Sequence, residues 1–318
     1  MVNKDQDRME RDEITVVIPV KDREKLIVRC LDSVKEQSWR PIRVVVVDNG
    51  SRDNSRQAVT EWATANSDDG LSLTLMDESR PGAAVARNRG LREVTSEYML
   101  FFDSDDEMKP DLVSTVMRTF LDNPRLDMVY WRTETFFADG RRKTSKFTVD
   151  NIWRYQLYHS LLATQRYAVR TSFFRACGCW NEALGGWDDW ELGIRLLLNN
   201  PVMKGIDDVL AVIYPQRESI TGENFHTKAG EWERAIDTAE RDVCASDYRD
   251  KRWLIDMLNY CRVILAAHYR REGCVRLADS LLRATLERDD VSASDRIMLR
   301  LIYRYTSAGG RGAALLWR

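Results

Sequence analysis

Hydrophobic and polar positions alternate in blocks along the first third of the chain. Short, continuous apolar runs of strand length occupy residues 14–20, 42–47, 71–76, 98–102 and 127–133. Between them, apolar positions that recur three and four residues apart predict helices, among them residues 53–65 and 83–94. Strands that alternate with such helices indicate βαβ units and a mostly parallel sheet, and runs that are apolar throughout fit strands covered by helices on both faces.

Past residue 134 the pattern loosens. Residues 151–200 are predicted to be mostly helical, and residues 229–318 to be helical throughout, with a helix cap at Ser292. Earlier in the chain, Asp22 is placed to cap the helix that follows the first strand, and Pro110 suits the first turn of another helix. The chain is therefore expected to be an α/β protein that ends in a helical extension.

Composition narrows the class of protein. The 318 residues carry a net charge of −2, which gives no general attraction to nucleic acid. The charge is unevenly placed, because residues 251–318 hold 13 basic against 7 acidic side chains and residues 1–250 hold 35 against 43. The N-terminal residues are polar and no run approaches the ~20 apolar residues of a bilayer span. We therefore expect a cytoplasmic protein with neither signal peptide nor membrane span.

The sharpest chemical signal is the sequence Asp103-Ser104-Asp105-Asp106, directly after the fourth apolar run. Three carboxylates so close together repel each other unless a cation lies among them. Oxygen ligands suit Mg²⁺ or Mn²⁺, and both cations favour diphosphate oxygens as further ligands. The alternative is a solvated acidic loop without a ligand.

Two further segments lie where a nucleotide would bind in a parallel sheet. Asp48 ends the second apolar run, and a carboxylate there can accept hydrogen bonds from a base or ribose. Gly82 precedes a predicted helix, where backbone can approach an anion and Arg87 or Arg80 can add charge. The alternatives are an ordinary Asx-Gly turn at Asp48 and an ordinary helix start at Gly82.

A second acidic group stands later in the chain. Asp188 and Asp189 lie between two tryptophans at a predicted helix start, where a partly desolvated carboxylate suits a general base. Alternatively, Asp188 caps the helix and Glu191 completes a capping box. His226 follows a loop that could close over a ligand, and it is a candidate metal or phosphate contact.

Together these segments resemble the family 2 glycosyltransferases with the GT-A fold, over about residues 14–225. Six motifs in the family's order carry the resemblance: Val-Val-Ile-Pro-Val at 16–20, Val-Val-Asp-Asn-Gly-Ser at 46–51, Gly-Ala-Ala-Val-Ala-Arg-Asn-Arg-Gly at 82–90, Tyr-Met-Leu-Phe-Phe-Asp-Ser-Asp-Asp at 98–106, the segment 169–182, and Trp-Asp-Asp-Trp-Glu-Leu at 187–192. The resemblance implies a Rossmann-like, mostly parallel sheet. It places a catalytic domain at residues 1–228, with a nucleotide-binding half (about 14–133) and an acceptor half (about 134–228), before a helical extension at 229–318.

The resemblance also implies roles in donor binding. Asp48 would contact the base, and Pro19 and Val20 would line the nucleotide pocket. In the DxD motif, Asp105 would hold Mn²⁺ or Mg²⁺ and Asp103 would face the nucleotide sugar. Gly82, Arg87 and Ser104 complete the predicted donor site, and Asp103 and His226 are further predicted metal ligands.

Asp189 matches the family's catalytic base, and Asp188 stands where the family has a glutamate. The usual Gly-Gly-Phe-Asp-Glu is Gly178-Cys-Trp-Asn-Glu182 here, which puts in doubt any acceptor assigned by resemblance. The implied reaction moves a sugar from a nucleoside diphosphate, commonly uridine, to a glycan or lipid-linked acceptor hydroxyl with inversion. Bacterial surface polysaccharide or lipopolysaccharide synthesis is the expected setting.

Three other functions remain open: a sugar-phosphate nucleotidyltransferase, a catalytically silent sugar-nucleotide-binding module, and an interaction protein that uses the helical end. The helical end itself has two interpretations. Arg296, Arg300 and Arg304 recur on one helical face and could hold the protein peripherally on the inner face of the cytoplasmic membrane. Alternatively, these helices are solvated and pack only on the catalytic domain.

Overall fold

The computed structural model describes residues 13–66, 70–147, 151–216, 224–313 and Trp317. The chain forms two compact units. The first comprises Met1–Ile152, Leu161–Ala183 and Asn199–Pro215, and the second comprises Trp153–Ser160, Leu184–Leu198 and Gln216–Arg318. Each unit is built around its own hydrophobic core.

Within the described residues, the first unit contains one sheet of nine strands. The strands are β1 Ile14–Val20, β2 Ile42–Asp48, β3 Leu71–Asp77, β4 Tyr98–Phe101, β5 Glu107–Met108, β6 Met128–Phe136, β7 Arg142–Thr144, β8 Tyr167–Arg170 and β9 Met203–Ile213. Their order is β3-β2-β1-β4-β8-β6-β9-β5, with β7 paired to β6. β1 to β4 pair in parallel, β8 runs antiparallel to both of its neighbours, and β6 and β9 are again parallel.

Helices cover both faces of the parallel strands, as the continuous apolar runs predict. The helices of this unit are α1 Ile27–Lys35, α2 Ser55–Ala65, α3 Ala83–Leu91, α4 Leu112–Asp122 and α6 Thr171–Ala176. Val16 and Ile18 of β1 share a core with α1, α2 and α4. Val17 faces the opposite side, where a Cβ on Gly90 of α3 would come within 2.4 Å of its Cγ1. The α/β architecture is confirmed.

Two local predictions are wrong and a third holds with an exception. Residues 151–200 are mostly helical as predicted, but they also include the strand β8, whose place is set by pairing with β4 and β6. Asp22 does not cap α1, which begins at Ile27 after Leu26; its carboxylate instead accepts the backbone N–H of Arg52 at 2.7 Å. Pro110 precedes the cap of α4 and lies outside its first turn.

The second unit is helical. Its helices are α5 Ile152–His159, α7 Asp188–Leu198, α8 Ala229–Ala245, α9 Lys251–Arg271, α10 Val275–Leu286 and α11 Ala293–Ser307. Ser292 caps α11 as predicted, since its hydroxyl accepts the N–H of Asp295 at 3.1 Å. The helical C-terminal region is confirmed, whereas the domain boundary at residue 229 stays a prediction. None of the described helices is long and apolar enough to cross a membrane.

Candidate active site

The carboxyl ends of three neighbouring strands bring the predicted donor-site residues to one edge of the sheet. Val20, the last residue of β1, pairs with Asp48, the last residue of β2. On the other side of β1, Val17 pairs with Phe101 at the end of β4, two residues before Asp103. This edge is where ligands bind in open parallel sheets.

Asp48 begins a tightly bonded loop. Asp48 is 6% exposed, and its carboxylate accepts the N–H of Ser51 at 3.0 Å. The next residue, Asn49, donates to the carbonyl oxygens of Glu78 and Arg80 and accepts the N–H of Gly82 at 2.8 Å. The φ of Gly82 is +134°, a backbone conformation that favours glycine. Asn49 thereby joins the loop after β2 to the loop before α3, a role that the turn signal alone did not reveal.

The loops after β1 and β2 are also bonded to each other. Arg23 N donates to the Ser55 hydroxyl at 2.7 Å, and Glu24 N donates to Asp53 at 3.0 Å. In return, Asn54 N donates to the Glu24 carboxylate at 3.0 Å. These reciprocal bonds satisfy backbone groups that a loop would otherwise leave to water, and they fix the position of Arg23.

Asp103, Asp105 and Asp106, here called the acidic cluster, follow β4. Asp103 accepts from Arg87 of α3 through an Nη2–Oδ1 contact of 2.9 Å. Arg87 is buried, and its guanidinium lies 4.4 Å from the ring centre of Trp180. The ion pair holds the predicted arginine directly against the first aspartate of the DxD motif.

Asp105 is the second carboxylate of the cluster and has a weaker partner. The Nε of Arg23 donates to its Oδ2 at 3.3 Å, while Arg29 donates to its backbone carbonyl. Burial raises the pKa of the Asp105 carboxyl, the neighbouring charge of Asp103 raises it further, and Arg23 opposes both. The carboxylate is therefore incompletely neutralised by the described side chains.

Asp106 is the most buried acid of the cluster, at 2% exposure. It accepts the N–H of Tyr214, just past β9, at 2.9 Å. Burial, then the charges of Asp103 and Asp105, raise the pKa of Asp106 well above its ordinary value. Ser104, between the predicted ligands, is buried at 6% exposure. Asp106 thus anchors the end of β9 to the cluster.

Sequence reasoning missed Gln165, which joins the cluster from another part of the chain. Its amide nitrogen donates to Asp103 Oδ2 and to Asp106 Oδ2, the latter at 2.6 Å. Gln165 lies in the 3-10 turn Thr164–Arg166 that leads into β8, the neighbour of β4. A lone glutamine in a segment predicted to be helical carries no signal for this role.

The donor set fits a divalent cation that the protein holds with few ligands. Among the described residues, no group of three or more His, Cys, Asp or Glu side chains is arranged to hold a metal ion. Mg²⁺ sites commonly use one or two carboxylates and take their other ligands from water and substrate phosphates. Asp105, with its single contact from Arg23, and the partly exposed Asp103 match that pattern.

Asp188 and Asp189 begin α7 in the second unit. Trp190 N donates to Asp189 Oδ1 at 2.7 Å, and the Ser160 hydroxyl lies 3.4 Å from Oδ2. The preceding Trp187 has a φ of +55°, which non-glycine residues rarely adopt and which is frequent at functional sites. The rings of Trp187, Trp190 and Trp232 pack beside this turn.

The capping-box alternative for Glu191 is wrong. Glu191 is fully buried and forms an ion pair with Arg195, one turn further along α7. Its carboxylate is therefore paired within α7 in the interior of the second unit.

His226 is also in the second unit, in the 3-10 turn Phe225–Lys228. Its Nδ1 lies 2.9 Å from Glu272, which also accepts the N–H groups of Phe225 and His226. The catalytic role of Asp189 and the metal role of His226 stay predictions.

The N-terminal half of the chain matches a known protein family. Residues 15–180, just over half of the chain, match the family described as glycosyl transferase family 2. A 98-residue segment is 36% identical to the amylovoran biosynthesis glycosyltransferase AmsB of Erwinia amylovora, and it covers 30% of this chain and 32% of AmsB. The chain spans between 15% and 39% of the length of the curated relatives it matches.

Two solved structures are similar over nearly the whole chain. Residues 1–349 of S. aureus TarS, in complex with UDP-GlcNAc, superpose with a TM-score of 0.69 at 17% identity, covering 93% of this chain and 87% of that one. The Pyrobaculum calidifontis mannosyltransferase PcManGT, in complex with GDP-Man and Mn²⁺, gives 0.61 at 19% identity, covering 95% and 84%. These likenesses show a GT-A-like fold. With the match over residues 15–180, they establish that the chain belongs to the family 2 glycosyltransferases.

Proposed function

We propose that this protein transfers a hexosyl or N-acetylhexosaminyl group from a nucleoside diphosphate sugar to an acceptor hydroxyl. The observation that carries the proposal is the convergence of Asp48, Asp103 and Asp105 at the carboxyl ends of adjacent parallel strands. At one edge of the sheet, Asp48 would contact the base of a nucleotide sugar, and Asp103 and Asp105 would lie beside its diphosphate. A purely structural loop would not require carboxylates at all three positions.

The proposed donor is a UDP-sugar. Asp48 would accept hydrogen bonds from the base, and Pro19 and Val20 would line its pocket. TarS, which shares the fold, is solved with UDP-GlcNAc, and PcManGT is solved with GDP-Man. The loops after β1 and β2, bonded to each other, would give the base a preformed site.

The diphosphate would lie at the acidic cluster. Asp105 and Asp103 would hold Mn²⁺ or Mg²⁺. The cation, when bound, supplies positive charge to the departing diphosphate. Arg87 orients Asp103 through its ion pair, and Gly82 lets backbone approach the phosphates at the start of α3.

Asp189 is the proposed general base, with Asp188 beside it. An Asp189 carboxylate oxygen would take the proton from the acceptor hydroxyl as that oxygen bonds to the anomeric carbon. In the same step the bond from the anomeric carbon to the diphosphate oxygen breaks, and the nucleoside diphosphate leaves with the electron pair. Direct attack by the acceptor is a single displacement, so the anomeric configuration inverts.

The proposed acceptor is a growing bacterial surface polysaccharide or lipopolysaccharide, free or lipid-linked. The name of AmsB, a relative that functions in amylovoran biosynthesis, supports an acceptor of this class. We place the reaction in the cytoplasm, because charged nucleotide sugars do not cross a bilayer unaided.

A donor screen tests the proposal. The purified chain is titrated with a panel of nucleotide sugars in Mn²⁺, in Mg²⁺ and with chelator, and the products of turnover are identified. We expect cation-dependent binding of one donor and slow release of nucleoside diphosphate and free sugar. Release of pyrophosphate from a nucleoside triphosphate and a sugar phosphate would instead identify a nucleotidyltransferase, and binding without any turnover would identify a silent module.

A further inference from the structure

Helix α11 presents an apolar stripe that faces away from the core. On one side of the helix, Leu299 and Ile302 are fully buried. On another, Ile297, Leu301 and Tyr305 follow at four-residue steps, with exposures of 61%, 52% and 45%. Because residues four apart lie on one helical face, the three side chains form a continuous stripe, which Met298 widens. We call these four residues the apolar stripe.

The stripe is unusual for this molecule. Among the described residues, eight large hydrophobic side chains are exposed, and four of them fall within the nine residues from Ile297 to Tyr305. Single exposed apolar side chains are normal on protein surfaces, but a contiguous patch marks a binding surface. A contiguous exposed patch of this kind indicates a binding partner that offers an apolar surface or interior.

A row of arginines runs beside the apolar stripe. Arg296, Arg300 and Arg304 also follow at four-residue steps, and the last two are exposed. In the part of the chain that the structure describes, neither Arg300 nor Arg304 forms an ion pair with a carboxylate, and Arg296 donates to the carbonyl of Arg288 at 3.2 Å. The row is therefore positive charge that the described residues leave largely uncompensated.

An open groove of about 550 Å³ adjoins the arginine row, between α10 and α11. Its charged lining consists of three arginines and two carboxylates: Arg283, Arg296, Arg300, Asp279 and Glu287. Asp279 is also 3.6 Å from Arg270, so the groove has an excess of positive charge. Leu282 and Leu286 add apolar side chains to the lining of the groove. An anionic headgroup attached to an apolar chain fits both features.

We propose that α11 binds the surface of an anionic lipid bilayer. The apolar stripe would enter the acyl boundary, and the arginine row would lie at the level of the lipid phosphates, as in helices that lie in the plane of a membrane. A second copy of this chain is a poorer occupant, because a two-fold contact would bring each arginine row close to its counterpart. The proposal concerns a surface of the second unit and stands apart from the proposed transferase chemistry.

Vesicle co-sedimentation of the full chain tests this proposal. The probes are vesicles of phosphatidylcholine alone and of phosphatidylcholine mixed with phosphatidylglycerol. Binding is expected only to the mixed vesicles and is expected to weaken with added salt. Leu301→Ser should weaken it by about tenfold or more, because the apolar contact is lost. Arg300→Gln and Arg304→Gln should each weaken it by roughly fivefold.

Matched variants make the result specific to α11. Val202→Ser removes an equally exposed apolar side chain from the first unit, and Arg118→Gln removes an exposed arginine from α4. Both should bind like the native chain, and circular dichroism should show all variants folded. Absence of binding to the mixed vesicles, equal binding to both vesicles, or binding unchanged by the α11 variants overturns the proposal. Concentration-dependent self-association that Leu301→Ser abolishes would identify a second copy as the occupant and overturns it too.

Discussion

Gln165 lies between two carboxylates of the acidic cluster, and its amide nitrogen donates to both. Removing that donor leaves two carboxylates close together, one of them 2% exposed, without their shared partner. A lost hydrogen bond to a buried charged group costs about 1.5–3 kcal/mol, so Gln165→Ala should lower the free energy of unfolding by roughly 2–4 kcal/mol. Urea denaturation measures this loss.

The matched variant for that measurement is Gln57→Ala. Gln57 is exposed on α2, and its side-chain amide bonds only to Glu61 among the described residues. Its loss should change the free energy of unfolding by less than about 0.5 kcal/mol. Equal effects of the two substitutions would show that Gln165 does not organise the cluster.

His268 gives a prediction on pH. Burial lowers the pKa of His268 below its ordinary value of 6.5, and Arg271 lowers it further while Glu272 opposes. The unfolded chain therefore binds the proton more readily, so the contribution of His268 to stability is complete above pH 6.5 and is lost as pH falls through its folded pKa. An NMR titration, with His268→Gln to assign the signal, should give a midpoint below 6.5. A midpoint at or above that value contradicts the burial.

The sequence alone predicts some residues of the candidate site and misses others. Asp48, Asp103 and Asp105 can be recognised because each stands just past a long apolar run, where the edge of a parallel sheet follows from local pattern. Asn49 and Gln165 cannot, because their roles depend on loops and strands that meet only in the folded chain. An amide in a loop has many ordinary uses, and only its partners distinguish one use from another.

At the scale of elements, α3 must lie very close to the sheet. A Cβ on Gly90 would approach Val17 within 2.4 Å and Val47 within 3.1 Å. Gly90→Ala should therefore lower the free energy of unfolding by about 1–3 kcal/mol through overpacking, although alanine favours helices. Thermal and urea unfolding measure the change, and a weaker ion pair between Arg87 and Asp103 should accompany it.

Gly230 provides the opposite case for comparison. It lies in the first turn of α8, and nothing lies within 4 Å of the position of an added Cβ. Gly230→Ala should raise the free energy of unfolding by up to about 1 kcal/mol. If both substitutions were stabilising, the close packing of α3 on β1 and β2 would be wrong.

Among the elements, β1 to β4 and β6 are predicted by their apolar runs, whereas β8 and β9 are not. β1, β2 and β4 are buried on both faces, so their sequences are continuous apolar runs. β9 carries consecutive exposed residues, Asp207 and Asp208, where its pairing with β6 shifts register, and the bulge hides the strand from a pattern of period two. β8 has only four residues and depends on its neighbours for its place.

At the scale of the whole molecule, the proposed reaction draws on both units. The first unit carries the residues assigned to donor and cation, and the second carries Asp189, the assigned base. Substitutions of Asp105 and of Asp189 should therefore have different effects on binding and turnover. Asp105→Ala should weaken cation-dependent donor binding by more than about tenfold. Asp189→Asn should leave donor binding unchanged and lower kcat by about 10²–10⁴-fold.

The most informative experiment measures both binding and turnover of the donor found in the screen, in the presence of Mn²⁺. The donor is titrated into four proteins: the native chain, Asp105→Ala, Asp189→Asn and the control Asp208→Ala. Asp208 is exposed on β9, so its variant should match the native chain in both binding and turnover. We expect weakened donor binding in Asp105→Ala alone, and lost turnover with intact binding in Asp189→Asn. Native donor affinity in Asp105→Ala, or native turnover in Asp189→Asn, would show that the roles proposed for these two residues are wrong.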